Sequence, residues 1–461
     1  MRVVVNTRFK SVVGCLICVA LVAFSIFPGK GHLEGDQRTL TLENRSDHWG
    51  ALTAMLYGQW PNFFENWRFT LVLFQLFSLW AGFFFIFRRV SGCNKFILTA
   101  RFILIYVSTV FASQLSRDAS LFAFSILGFG LLYESENRRK HLKVLFLALG
   151  LSLLFTSAMF KPLYGLIIGV FASSIVLSFS KSRHHTVMLS FLLVTLFAIG
   201  PYSLDKQLGK NIGLESAFPE KQPIIFDLAS SYCWGSSPNI KKDAARSLEP
   251  ILRNSYPINS ICASLTPTTW DSLHAYPIPW EYSQPIIPPY GSKDSEIMNS
   301  LQQSWMNLIR NNFVDWIQVK SIFLGPALLM TNTLTHNLEP QFSNNIFNVI
   351  NSSFYEVLVL PYRILDKARL TSLGFALLFF HLFLIVQLWK PRVLQSNSSH
   401  YYRITIFCIF LIWMVLAITL VGFVASNGRY VLPYLLFSYT LQLRYLSLNQ
   451  KSEPSKVIRK I

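Results

Sequence analysis

Long apolar runs separated by short polar connections dominate this chain, and the run lengths predict its elements. A run of about 20 residues crosses the bilayer core as a helix. Ten such runs stand at 11–28, 69–87, 96–115, 120–136, 142–160, 163–180, 186–203, 371–389, 404–425 and 430–447. The first has the basic start and apolar stretch of a signal peptide, but "SIFPGKGHLEG" at its end holds no small-x-small cleavage site, so it is read as a span. Between 204 and 370 the pattern changes. "SWMNLIRNNFVDWIQV" (304–319) places Trp305, Leu308, Ile309, Phe313 and Trp316 on one helical stripe, which predicts a helix on the membrane surface or against the spans. "HAYPIPWEYSQPIIPPYGS" (274–292) cannot be a regular helix, because its prolines lack donors and restrict their neighbours. It reads as an ordered aromatic loop or lid. "SIFLGPALLM" (321–330) is too short for a span and is read as outside.

Composition agrees with the run lengths. Of 461 residues, 52% are apolar and only 14% are charged, where a soluble domain carries about 25% charged residues. The expected fold is an all-α polytopic membrane protein of about ten transmembrane helices, with a mixed extracytoplasmic segment between helices seven and eight. Three units follow: a seven-helix module over 1–203 with an acidic first outside loop (29–68), an extracytoplasmic segment over 204–370, and three helices with a basic tail over 371–461. No internal repeat is visible, which weighs against transporters built from duplicated halves.

Charge sets the orientation. With the N-terminus inside, 21 lysines and arginines face one side against three acids (Glu134, Glu136, Glu453), while the other side carries 20 of each sign. The positive-inside rule then puts both termini in the cytoplasm and 204–370 outside. The whole formal charge of +18 falls on the cytoplasmic face. In a soluble protein such a surplus suggests nucleic acid; here it reports topology and contact with anionic membrane lipid. No helix-turn-helix, zinc or RNA-binding signature is present, so no nucleic-acid partner is expected. Cys233 and Cys262, 29 residues apart on the oxidising side, admit either a disulfide or two isolated thiols.

Candidate chemistry gathers in the outside connections. The first loop holds Asp36, Asp47 and His48, and then Trp49, Leu52, Leu56 and Trp60 at helical spacing. Asp47 stands at the N-cap of that helix, a role worth about 1 kcal/mol that does not exclude catalysis. The second loop, "ASQLSRDASLFAF" (112–124), presents Arg117 and Asp118; the third, "FKPLYG", presents Lys161. Arg363 precedes span eight, and Arg429 and Tyr430 open the last span in "ASNGRYVLPY". Carboxylates near an acceptor hydroxyl and cations near a leaving phosphate are what phosphate-activated glycosyl transfer requires.

These motifs resemble the GT-C superfamily of integral-membrane glycosyltransferases, in the branch similar to dolichyl-phosphate-mannose–protein mannosyltransferases. The likeness rests on "GDQ" and "SDHWGAL" in the first loop, "SRDASLFAF" entering span four, the seven-span module before an outside segment, and "GRYVLPY". It implies inverting transfer from a polyprenyl-phosphate sugar to a lipid- or protein-linked acceptor outside the cytoplasm. Asp36 or Asp47 would be the general base, and Arg117, Asp118, Lys161, Arg363 and Arg429 would hold the donor phosphate, with His48 and Tyr430 accessory. The paired acidic motif of many members is absent. The resemblance therefore fixes no cofactor and leaves a divalent metal, Mg or Mn, as an option at Asp47 and Asp118. It implies a bacterial inner (plasma) membrane with the active site facing the periplasm. Two other readings stay open: an O-antigen polymerase or ligase-like enzyme, with His274 or His336 as candidates, and a lipid-linked sugar transporter or flippase. A transporter would place ionisable groups inside the spans, whereas here they stand mostly at the ends.

Overall fold

The computed structural model describes residues 51–53, 55–56, 67–88, 95–112, 117–136, 138–179, 183–213, 222–252, 258–265 and 295–329, with 360, 364, 367–368, 382, 433, 436–440 and 443–444. The predicted spans 11–28 and 404–425, all but residue 382 of span 371–389, and the loop 274–292 lie outside the described residues. Among the described residues every regular element is helical. The first six are α1 (Trp67–Phe87), α2 (Lys95–Ala112), α3 (Arg117–Ser135), α4 (Lys140–Phe160), α5 (Gly165–Phe179) and α6 (Arg183–Asn211). Within them Thr70–Phe87, Lys140–Phe160 and Met188–Asn211 are long and apolar enough to cross a membrane.

The pattern of burial is that of helices packed in lipid. Phe77, Phe102 and Phe191 are 63%, 69% and 74% exposed, while Gln75, Ser120, Ser125 and Ser157 are fully buried. Lipid tails are as apolar as phenylalanine, so apolar burial gives little reason for helices to meet there, and close packing with polar cross-links does the work. α3 is the centre, buried along nearly its whole length. Small residues let its neighbours approach. A methyl at Gly82 of α1 would stand 2.5 Å from the Ile126 backbone, and one at Gly130 of α3 would stand 2.7 Å from the Gly82 carbonyl oxygen. The Ser125 and Ser157 hydroxyls bond at 2.7 Å between α3 and α4. Residues of the last predicted span return to this centre, where the Phe437 ring packs 5.1 Å from Phe122 and 5.4 Å from Phe129.

α6 runs on past Pro201 to Asn211, eight residues beyond the predicted end of the span at 203. Proline removes the donor that the Phe197 carbonyl would otherwise use. Gly165, the first residue of α5, approaches that carbonyl so closely that a methyl there would lie 2.0 Å from the oxygen. The glycine is needed because only it fits over the exposed carbonyl.

A second core is formed by α7 (Gln222–Trp234), α8 (Pro238–Leu248), the short α9 (Ser260–Ser264), α10 (Ser295–Asn311) and α11 (Phe313–Leu329). Ile225, Leu228, Ile240, Leu248, Leu308, Trp316 and Val319 meet inside it. Cys233 and Cys262 form a disulfide joining α7 to α9, with Cα atoms 5.3 Å apart. The described part of the segment expected to be mixed is thus helical. The 304–319 stripe also differs from expectation. It bends at Asn312, whose amide donates to Asp243 Oδ2 at 3.2 Å. Leu308 and Trp316 point into this helical unit, and Phe313 is left 56% exposed. At the centre stands Asp227, 1% exposed. It pairs with Lys320 Nζ at 2.8 Å and accepts from the indoles of Trp305 and Trp316 at 2.5 and 2.7 Å.

Candidate functional site

The first residues of α3 and the turn after α4 lie together at one end of the bundle. Asp118 is the second residue of α3, where the unpaired amides of the first turn favour a carboxylate. Lys161 stands between α4 and the short 3-10 turn Pro162–Tyr164. Its own backbone is fixed on both sides: its N–H donates to Ala158 O at 3.2 Å, and its carbonyl accepts from Tyr164 N–H at 2.9 Å. The side chain then reaches Asp118, with Nζ 2.8 Å from Oδ1. Only 12% of the Lys161 side chain and 9% of the Asp118 side chain are exposed. The ammonium also lies 4.9 Å from the centre of the buried Tyr164 ring, a favourable place for a cation.

Three more polar links tie this end together. Gln75 of α1 donates to the Ala112 carbonyl at 2.9 Å, satisfying one of the terminal carbonyls of α2. The Ser120 hydroxyl of α3 donates back to Gln75 Oε1 at 2.8 Å. The third link involves the first loop. Leu52 N–H donates to Asp205 Oδ1 of α6 at 3.2 Å, and Leu52 and Leu56 pack against the bundle core. The helical residues around Leu52 therefore sit on the Asp118 end of the bundle, one turn beyond the Pro201–Gly165 contact.

Of the residues singled out in the sequence, the structure brings Asp118 and Lys161 into contact and leaves Arg117 half-buried one position earlier. Asp36, Asp47, His48, Arg363, Arg429 and Tyr430 lie outside the described residues. Asp205 and Gln75 were not singled out. Asp205 had a signal: "YSLDKQLGKN" (202–211) contains good helix formers and no breaker until its end, so span seven can carry its helix past the membrane surface and take the carboxylate with it.

The arrangement has a definite chemical character. A lysine and an aspartate in contact are neutral as a pair, yet each is held where little water reaches. An arriving phosphate would compete with Asp118 for the ammonium, and a divalent cation would compete with Lys161 for the carboxylate. Among the described residues no three of His, Cys, Asp and Glu gather as a metal would need. Asp118 faces an ammonium in place of a second carboxylate, so its present surroundings do not fit a metal, and no step below passes through one. Comparisons with protein-family models, with curated proteins and with solved structures give no match.

Proposed function

We propose that this chain is a membrane glycosyltransferase that moves a sugar from a polyprenyl-phosphate donor to an acceptor outside the cytoplasm. The observation that carries the reading is the Asp118–Lys161 pair, set in a largely buried position at one end of an apolar helical bundle. The seating of the first loop on the same end through Asp205 supports it, since that loop holds the candidate bases Asp36 and Asp47.

In the proposed reaction Asp36 or Asp47 takes the proton of the acceptor hydroxyl. The freed oxygen attacks the anomeric carbon opposite the phosphate, and the sugar–oxygen bond breaks with its electron pair going to the phosphate. The donor phosphodiester carries one negative charge and the departing polyprenyl phosphate gains another. Lys161 can turn from Asp118 toward that growing charge, with Arg117, Arg363 and Arg429 completing the neutralisation. Cations held where charge develops stabilise the transition state more than the ground state. Asp118 has one task here: it holds Lys161 ready before the donor arrives.

The test is transfer by the full chain in liposomes supplied with polyprenyl-phosphate sugars. Lys161→Gln should lower the rate by about 10²-fold or more, as loss of a charge-stabilising group does. Asp36→Asn or Asp47→Asn should lower it by about 10²–10⁴-fold, the range for a lost general base. Failure of the wild-type chain to bind any polyprenyl-phosphate sugar would end this reading.

A further inference from the structure

The helices α7 to α11 carry two unlike outer faces. α8 turns Lys241, Lys242 and Arg246 outward, as a helix in water does. α11 is reversed. From Phe313 to Ile322 its exposed positions are Phe313, Val314, Ile317, Gln318, Ser321 and Ile322, and none of them carries a charge. Phe313, Val314 and Ile317 are 56%, 69% and 47% exposed. The two charged residues of this helix turn the other way. Lys320 is 4% exposed and pairs with Asp227, and Asp315 accepts from Ser236 and Ser237.

The two polar residues on the exposed face are themselves bonded to protein. Gln318 Oε1 accepts from Ser236 at 3.1 Å, and the Ser321 hydroxyl donates to the Gln318 carbonyl at 2.7 Å. Beyond Ile322 the helix sequence continues as "FLGPALL", again without a charge. The same inversion marks α1, where Gln75 and Ser78 are buried and Phe77 is 63% exposed, as suits a helix facing lipid. A bilayer is also within reach. α6 is long and apolar enough to cross the membrane, and only residues 212–221 separate its end at Asn211 from the start of α7 at Gln222. At about 3.5 Å per residue that tether spans no more than about 35 Å.

We propose that α11 lies along the surface of the outer leaflet, with Phe313, Val314, Ile317 and Ile322 set among the lipid tails. A helix of this kind seats its apolar face about 5–10 Å into the boundary between headgroups and acyl chains. Arg310, exposed in the last turn of α10 three residues before Phe313, suits the phosphate layer above, since its stem can lie in the apolar region while its head stays wet. The leaflet is the outer one because the charge count puts 204–370 outside. The face differs from the stripe that the sequence pattern suggests: Leu308 and Trp316 are buried, and Phe313 is common to both. The seating rests on the exposure of α11 and the length of the tether, and does not depend on the proposed transfer.

The experiment is electron paramagnetic resonance of the full chain in phospholipid liposomes, with a nitroxide at one introduced cysteine. The background carries Cys15→Ser, Cys18→Ser, Cys93→Ser and Cys408→Ser and keeps the Cys233–Cys262 disulfide. Labels at Val314→Cys and Ile317→Cys should collide more with oxygen, which concentrates in lipid, than with a water-soluble nickel chelate. A label at Asn239→Cys, exposed on α8, should show the reverse. Chelate collisions at 314 and 317 as frequent as at 239 overturn the proposal, since the face would then stand in water. Exclusion of both reagents overturns it too, because protein would then cover the face. So does broadening between labels that disappears on dilution with unlabelled chain, which would make the occupant a second copy.

Discussion

Removing the charge of Lys161 and removing its contacts are separable experiments, because Asp118 faces it across 2.8 Å with little solvent between. Asp118→Asn takes the carboxylate charge away from an ammonium in a poorly hydrated site. Breaking a buried pair from one side costs about 3 kcal/mol, so this variant should show a lower thermal midpoint. Asp118→Asn with Lys161→Gln restores neutrality and should recover much of that stability while transfer stays absent. If the double variant were both stable and fully active, the pair would be a structural staple only. Gly165→Ala tests the packing beside it. A methyl 2.0 Å from the Phe197 carbonyl cannot be accommodated without backbone movement, and overpacking of that kind costs about 1–3 kcal/mol or more. That Asp118 and Lys161 share one end of the bundle was legible in the sequence, since antiparallel spans with short connections put alternate connections on one side. Their contact was not legible. Spacing along a helix fixes height and not which neighbour a side chain meets.

At the scale of elements, apolar run length sufficed to find the helices from 67 to 211, because a helix in lipid satisfies its own backbone. What it could not find was the course of α6 through Pro201, which depends on Gly165 from another helix, or the bend at Asn312, which depends on Asp243. Helices α7 to α11 offer two tests of such long-range contacts. Asp227 is fixed by Lys320, Trp305 and Trp316, so Asp227→Ala takes the carboxylate away from the buried Lys320 ammonium and removes the acceptor of two indole donors. A loss of about 3–5 kcal/mol is expected for a broken buried pair. Limited proteolysis should then cut between 222 and 320 while fragments of the apolar bundle persist. The second test concerns Asp315 in the first turn of α11. Hydrogen bonds from Ser237 first, and then Ser236 at 2.8 Å, hold its carboxyl below the usual value of 3.8. A depressed carboxylate contributes stability above its unfolded value and loses it as pH falls through the lower folded value. The Asp315 contribution is therefore complete above pH 3.8 and fades only in stronger acid. Ser237→Ala should move the Asp315 titration upward, read by carboxyl NMR. It should also fray α8, because the same hydroxyl accepts from Ile240 N–H at that helix's N-cap. An unchanged titration would mean that the serine contact is not made in solution.

Across the whole molecule, the arrangement of charge and the disulfide answer the same question by different physics. The charge count puts 21 basic residues and three acids on one face, and 20 of each on the other. It assigns 204–370 to the outside because translocation leaves basic loops behind. The Cys233–Cys262 disulfide lies within that segment, and such bonds persist in oxidising compartments and are rare in the cytosol. The first reading depends on lysines and arginines, the second on two cysteines, so the two are independent. The charge count requires an even number of crossings between Ser396 in the predicted cytoplasmic loop and the N-terminus, and an odd number between Ser396 and α8. Asn239 is exposed on α8 and suits a reporter. Asn239→Cys and Ser396→Cys, each compared with the unsubstituted chain, should react with a membrane-impermeant thiol reagent from opposite sides: Asn239→Cys in intact cells, and Ser396→Cys only after the membrane is opened. Labelling of both from the same side would place the segment carrying α7 to α11 with the basic loops. It would leave the disulfide in a reducing compartment, and it would remove the proposed acceptor site from the face where transfer is proposed to occur.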